Sequence, residues 1–188
     1  MRDSTDLPHP TESDSEQARL NAWLQSGLER QFRQQYQRGT LLLQQGKARD
    51  ALPFLKRAHE LRPEHVDAAL NLGGAYLLAG QHRNAVPVLE RAVERAPDNP
   101  RLWISLGAAW LGNPLLADDA RQLKALSAFR RALQVDPFAP SAAYNIGLIH
   151  VDRGEREQAI SAFQRAVQSD AGDVDARRFL RRLEAGGA

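Results

Sequence analysis

The sequence predicts an all-α fold made of four stacked helix pairs, and three observations support this prediction. A short apolar motif with a central glycine recurs along the chain, and its glycines are 34, 34 and 40 residues apart. An alanine-rich motif follows each copy, and a proline closes the first three copies. A fixed period of this kind is typical of repeat proteins, in which each unit packs only on its neighbours. The motif glycines are Gly39, Gly73, Gly107 and Gly147.

The first motif has the periodicity of a helix, as in the stretch from Ala69 to Tyr76. A glycine inside a helix costs about 1 kcal/mol relative to alanine. We therefore expect each motif glycine to lie against the second helix of its unit, where no side chain fits. The alanines expected to face the glycines are Ala51, Ala85, Ala125 and Ala159. The larger residues expected to fill the core are Leu55, Leu89, Phe129 and Phe163.

Glycine and proline mark the ends of the predicted helices. Gly46, Gly80 and Gly154 fall between the two helices of a unit, where a left-handed backbone conformation is common. Proline disfavours the helical conformation of the residue before it. The prolines that close the first three units are Pro63, Pro97 and Pro137, and the fourth unit has Ala171 and Gly172 instead.

These signals divide the chain into consecutive segments. Residues 1–12 are polar and proline-rich, which predicts a disordered tail. Residues 13–31 are predicted to form an N-terminal cap helix with one apolar face. The four units are predicted at 32–65, 66–99, 100–139 and 140–173, and residues 174–188 are predicted to form a C-terminal capping helix and tail.

The sequence resembles the tetratricopeptide repeat family in its period, in the Leu-Gly-x-x-Tyr pattern of the first motif, in the spaced alanines of the second and in the closing proline. The resemblance covers about residues 32–173. It implies a right-handed α-solenoid of four helix pairs with a helix at each end. The chain departs from the family pattern at Arg38, in place of a leucine, and at His150, in place of a tyrosine.

The resemblance also implies a binding surface, because the first helices of such arrays line a concave groove that takes an extended peptide or a helix. We expect a non-enzymatic protein–protein interaction scaffold of this kind, with mostly apolar contacts. The groove residues implied by their distance from the motif glycines are Tyr36, Gln37, Thr40, Leu70, Asn71, Leu77, Ile104, Ser105, Ala108, Leu111, Tyr144, Asn145, Leu148 and Val151.

A polar column within this set has two interpretations. In some arrays an asparagine two residues before the motif glycine hydrogen-bonds the backbone of the bound peptide. Alternatively, the column is solvated or bonded within the chain. Here the column consists of Gln37, Asn71, Ser105 and Asn145. The family's carboxylate clamp is not expected, because Tyr36 and Thr40 replace the lysine and asparagine that it requires.

The third unit is six residues longer than the others. Asn113-Pro114 ends its first helix, and Asp118 or Asp119 is predicted to cap a longer second helix. The insertion is either a tolerated loop or a secondary contact site through Leu115 and Leu116.

Arginines offer a further candidate surface. The column Arg57, Arg91, Arg131 and Arg165 recurs once per unit, and a denser cluster comprises Arg177, Arg178, Arg181 and Arg182. Both sets either solvate a helix face or contact an anionic partner.

Composition excludes several functional classes. The chain has no cysteine and a formal net charge of +2, so disulfides, thiol nucleophiles and a global field for nucleic acid are excluded. No apolar run is long enough to span a bilayer and no secretory signal is visible, which favours the cytoplasm. The histidines have no metal-ligand spacing, and no phosphate loop or nucleophile motif is present, so we expect neither cofactor nor catalysis.

Two alternative functions remain open at this stage. The chain is either a self-assembling scaffold that forms a homo-oligomer, or a binder of RNA or a membrane surface through its C-terminal arginines.

Overall fold

The computed structural model describes residues 12–112 and 117–186. These ranges contain nine helices and no strand, and each helix packs on the next one in the chain. The fold is therefore an α-solenoid of four helix pairs, α1–α2 to α7–α8, followed by α9. The helices are α1 (Glu12–Gln44), α2 (Ala48–Leu61), α3 (Val66–Leu78), α4 (His82–Arg95), α5 (Pro100–Leu111), α6 (Asp119–Val135), α7 (Pro140–Asp152), α8 (Arg156–Ser169) and α9 (Val174–Ala185).

Each motif glycine lies against a large side chain of the paired helix. A Cβ atom on Gly73 would lie 2.6 Å from Cδ2 of Leu89, and one on Gly107 would lie 2.6 Å from Cε1 of Phe129. Leu89 and Phe129 are fully buried, so neither can move aside freely. The same contact joins Gly39 to Leu55 and Gly147 to Phe163.

The prediction that alanines face these glycines is therefore wrong in detail. Ala51, Ala85, Ala125 and Ala159 are all fully buried. The side chain that occupies the space at each glycine, however, belongs to the larger residue one helical turn further along. The alanines allow close approach of the helices, and the leucine or phenylalanine fills the remaining volume.

The helix ends agree with the sequence signals. Gly46, Gly80 and Gly154 have φ angles of 75°, 73° and 71°, which confirms that they form left-handed turns. The carboxylate of Asp118 accepts a hydrogen bond from the backbone nitrogen of Arg121 at 2.8 Å and so caps α6. The second helix of the third unit has 17 residues against 14 in α2, α4 and α8, so three of the six extra residues lengthen this helix.

The N-terminal boundary differs from the prediction. The sequence predicts a separate cap helix over 13–31, but α1 is one continuous helix of 33 residues that includes the first helix of the first unit. No proline or other helix-terminating residue lies between Glu29 and Tyr36, so nothing interrupts it there. The predicted tail lies outside the described residues except for Glu12, which begins α1.

A polar network takes the place of the family tyrosine in the fourth unit. His150 is buried, and its Nδ1 atom lies 2.5 Å from Oε2 of Glu155. Arg153 donates to the other oxygen of the same carboxylate at 2.9 Å and also pairs with Asp119. Buried Gln122 contacts this network through a hydrogen bond from Arg153 to its side-chain oxygen at 3.2 Å. These contacts join the start of α6 to the turn between α7 and α8.

Adjacent glycines in α3 provide a test of the helix-pair contact. Gly73→Ala should lower the free energy of unfolding by about 1–2 kcal/mol, because overpacking against Leu89 outweighs the gain in helix propensity. Gly74→Ala should raise it by about 0.5–1 kcal/mol, because no atom lies within 4 Å of a Cβ there. Urea denaturation followed by circular dichroism measures both changes. Equal effects at the two positions would contradict the packing explanation.

The polar network predicts a dependence of stability on pH. Hydrogen bonds from Arg153 and then from His150 lower the pKa of Glu155 below the ordinary glutamate value of 4.5. A carboxylate with a lowered pKa stabilises the fold above pH 4.5, and this stabilisation is lost as the pH falls through the lowered value. Glu155→Gln should therefore reduce the urea midpoint at pH 7, and its difference from the unmodified chain should shrink below pH 4.5.

Glu157→Gln is the matched control for this experiment. Glu157 is exposed in the first turn of α8, and no ion pair involving it is present among the described residues. The control should change the midpoint little at either pH. A Glu155→Gln effect of the same size at pH 7 and at pH 3 would show that charge is not involved.

Candidate functional site

The first helices of the units form one layer, in which α1 contacts α3 and α3 contacts α5. Successive residues of a helix are about 100° apart, so residues near Gly73 in sequence differ widely in direction. We use the name groove surface for the exposed and partly exposed residues of this layer that are predicted to line a groove, together with Gly74 and Leu78. Its described residues are Tyr36, Gln37, Thr40, Asn71, Gly74, Leu77, Leu78, Ile104, Ser105, Ala108, Tyr144, Asn145, Leu148 and Val151.

Two residues predicted to line the groove lie in the core instead. Leu70 and Leu111 are each only 6% exposed. Leu70 belongs to the core cluster around Leu72 and Leu89, and Leu111 belongs to the cluster around Leu126 and Phe129. A bound partner therefore cannot use their side chains as its main contact.

The sequence reasoning missed two groove residues that the structure reveals. Leu78 is 71% exposed, the largest exposure among the leucines of this layer, and it lies about 140° from the direction of Gly73. Gly74 has no atom within 4 Å of a Cβ position, so the surface beside it is open.

The apolar part of the groove surface continues on later helices. Ile104 and Ala108 on α5 and Leu148 on α7 are partly exposed, and Val151 is 37% exposed. Small residues at Gly74 and Ala108 leave room for the backbone of a partner to approach closely. The surface thus combines apolar side chains with small residues that leave room for a partner.

A hydrogen-bonded cluster of Tyr36, Thr40 and Asn71 lies at the α1 end of the groove surface. The amide nitrogen of Asn71 donates to Oγ1 of Thr40 at 3.0 Å and to the Tyr36 hydroxyl oxygen at 3.4 Å. Burial, and then the charge of Asp67, raise the pKa of Tyr36. The phenol therefore keeps its proton at neutral pH and can donate a hydrogen bond.

The other members of the polar column are not equivalent to Asn71. The amide nitrogen of Asn145 donates at 2.6 Å to the backbone oxygen of Ser141, one turn earlier in α7. Ser105 is partly exposed and Gln37 is exposed. The side-chain nitrogens of Asn71 and Asn145 therefore donate hydrogen bonds within the chain, as the second interpretation of the column expects. Their side-chain oxygens can still accept hydrogen bonds from a partner.

Tyr144 forms the other end of the groove surface. Its ring packs edge-on against Phe163 and Phe179, with ring centroids 5.7 Å and 6.2 Å away. Burial, followed by the charges of Asp175 and Asp173, raises its pKa. Tyr144 thus connects the surface to α8 and to α9, and only part of its ring is available to a partner.

The secondary contact candidates divide into two groups. Leu115 and Leu116 lie outside the described residues. The cluster Arg177, Arg178, Arg181 and Arg182 is exposed along α9, as expected for the polar face of a terminal helix. In the recurring column, Arg57 pairs with Glu60 at 3.0 Å and Arg165 donates to the backbone oxygen of Pro137 at 3.3 Å.

The geometry of the described residues also bears on metal binding. No group of three or more His, Cys, Asp or Glu side chains within ranges 12–112 and 117–186 is placed to hold a metal ion. The buried Nδ1 atoms of His59 and His82 have no hydrogen-bond partner there, and burial and Arg91 lower the pKa of His59.

His82 and Trp110 line a separate cavity of about 680 Å³ beside α4 and α5. In the same described ranges, no helix combines the length and the apolar character needed to cross a bilayer.

Solved structures with the same fold include proteins from bacteria. The chain is 26% identical to a MamA fragment from Desulfovibrio magneticus RS-1, with a TM-score of 0.64 and coverage of 75% of this chain and 76% of that one. A tetratricopeptide repeat protein from Thermus thermophilus is 22% identical, with a TM-score of 0.68 and 82% coverage of both chains. Another MamA structure is 24% identical, with a TM-score of 0.67 and coverage of 79% and 83%.

Sequence comparison identifies the family. No curated protein matches the sequence of this chain at a significant level. Two family models, both described as tetratricopeptide repeat, match residues 42–111 and 121–174, which together make up more than half of the chain. The repeat period, the helix pairs and these matches agree, and the chain belongs to the tetratricopeptide repeat family.

Proposed function

We propose that this chain binds an extended or helical segment of another protein on its groove surface. The observation that carries the proposal is the exposed apolar side chain of Leu78 beside the open space at Gly74. A leucine exposed to this degree in a regular array is an anchor point for an apolar partner residue. Membership of a family of interaction modules, which are typically not catalytic, supports the same function.

Burial of apolar surface supplies the binding free energy in this proposal. A partner segment that crosses α3, α5 and α7 covers Leu78, Ala108 and Leu148 in turn. Each apolar Å² removed from water contributes about 25 cal/mol before the cost of ordering the segment. Gly74 and Ala108 allow the segment to lie close to the helices, which increases the area that is covered.

Polar groups at the α1 end fix the register of the segment. The Tyr36 and Thr40 hydroxyl oxygens accept from Asn71 and the two side chains also bond to each other, so one of the two hydroxyl protons remains to donate. A backbone carbonyl of the partner is a suitable acceptor for it. Arg101, exposed near this cluster, adds a positive charge that favours an acceptor-rich segment end. The groove surface therefore has a polar end at α1 and a more apolar end at α7.

The proposed contact predicts the effect of one charged substitution. Peptides selected from a random library against the unmodified chain should bind Leu78→Glu about tenfold or more weakly, a loss of ~1.4 kcal/mol. The fold should remain intact, because Leu78 is already mostly in solvent. Isothermal titration calorimetry measures the affinity, and circular dichroism checks the fold.

Leu123→Glu is the matched control. Leu123 is 52% exposed and lies on α6, a second helix of a unit. The same chemical change there should leave peptide affinity unchanged. Equal loss in both variants, or selected peptides that bind Leu78→Glu normally, would place the binding site elsewhere.

A further inference from the structure

The N-terminal half of α1 carries an apolar stripe that the other described residues leave uncovered. Leu20, Trp23, Leu24 and Leu28 are 50%, 66%, 48% and 43% exposed. As residues three and four apart, they lie along one side of the helix. We refer to these four residues as the α1 stripe. A cap helix would bury such a face against the array, and this helix does not.

The geometry of α1 explains why the stripe is exposed. Phe32 is the first residue of α1 that is buried in the array, and Arg62, just beyond the end of α2, pairs with Glu29. The helix N-terminal to Glu29 therefore extends past the end of α2. A helix of this length without tertiary contacts is only marginally stable in water. A partner that covers the stripe would therefore stabilise this segment.

The charge pattern of this segment favours a second copy of the same chain. The stretch from Leu20 to Leu28 contains no charged residue. An oppositely charged partner would find nothing to pair with, whereas two identical copies of this face meet without like-charge repulsion. Gly27 lies on the same side of the helix, and a Cβ there would meet only the Arg30 side chain at 4.0 Å, so two helices can approach closely.

The spacing of the leucines is symmetric about Leu24. In an antiparallel pair related by a two-fold axis, residue i contacts residue j and residue j contacts residue i. An axis at Leu24 places this residue against its own counterpart and Leu20 against Leu28 of the second copy. Trp23 then covers the side of the contact, where its large ring removes the most apolar area from water.

We propose that two copies of this chain form an antiparallel helix pair through the α1 stripe, with Leu24 on the two-fold axis. The four side chains expose on the order of 400 Å² of apolar surface per copy. Pairing buries this patch in both copies and, with the flanking residues, approaches the roughly 1,000 Å² that a specific interface requires. Such a dimer keeps the groove surface of each copy free.

Two charge variants at the axis test this proposal on the full chain. The unmodified chain should show twice its 20.9 kDa monomer mass in sedimentation equilibrium. Leu24→Glu and Leu24→Arg should each sediment as monomers, because like charges would meet at the axis. An equimolar mixture of the two variants should recover the dimer mass, because opposite charges then face each other.

A control on the same helix distinguishes the stripe from general surface apolarity. Leu41 is 55% exposed within the array part of α1, and Leu41→Glu should remain a dimer. The proposal is wrong if the unmodified chain is a monomer at micromolar concentration, or if both Leu24 variants dimerise alone. A mixture that stays monomeric while the fold, followed by circular dichroism, is intact would also overturn the two-fold axis at Leu24.

Discussion

The contact between each motif glycine and the large side chain of the paired helix determines the rest of this structure. At Gly107 the ring of Phe129 takes the space that a Cβ atom would need. This contact brings the two helices of a unit close together and fixes their relative rotation. The direction of every other residue on the first helix follows from that rotation, including which side chains reach the groove surface.

The fourth unit shows how the array accommodates a departure from the family pattern. His150 places a polar ring where an apolar one is usual, and a buried polar group destabilises a fold unless it is hydrogen-bonded. Glu155 bonds to the His150 ring, and Arg153 connects the same carboxylate to Asp119 on α6. A substitution that would weaken an ordinary unit therefore becomes an additional connection between the third and fourth units.

Much of the fold could be predicted from the sequence because each repeat carries the same signals for helix packing and helix ends. The glycine period, the turn glycines and the closing prolines located the helix pairs within a few residues. The continuity of α1 does not follow from the repeats, because the first unit begins at Phe32 and the preceding helix is predicted as a separate segment, although no residue there stops a helix. A helix continues wherever no residue ends it, and the spacing of apolar residues does not show where that is the case.

The candidate site could be predicted only in part. The resemblance implies the layer of first helices, but two of the groove residues that it implies, Leu70 and Leu111, are buried in the core. The bonds of Asn71 to α1 depend on distances between helices that one sequence does not contain. Leu78 was overlooked because exposure follows from the rotation of the helix and not from residue type.

The most direct test of this account is a double-mutant cycle at Gly107 and Phe129, measured as free energies of unfolding in urea. Gly107→Ala overpacks the contact, and Phe129→Ala removes the side chain that the new methyl group would meet. If the glycine is required because of this ring, the double variant should be more stable than the sum of the two single effects by about 1 kcal/mol or more. Effects that add within a few tenths of a kcal/mol would show that Gly107 and Phe129 act independently, and would contradict the account.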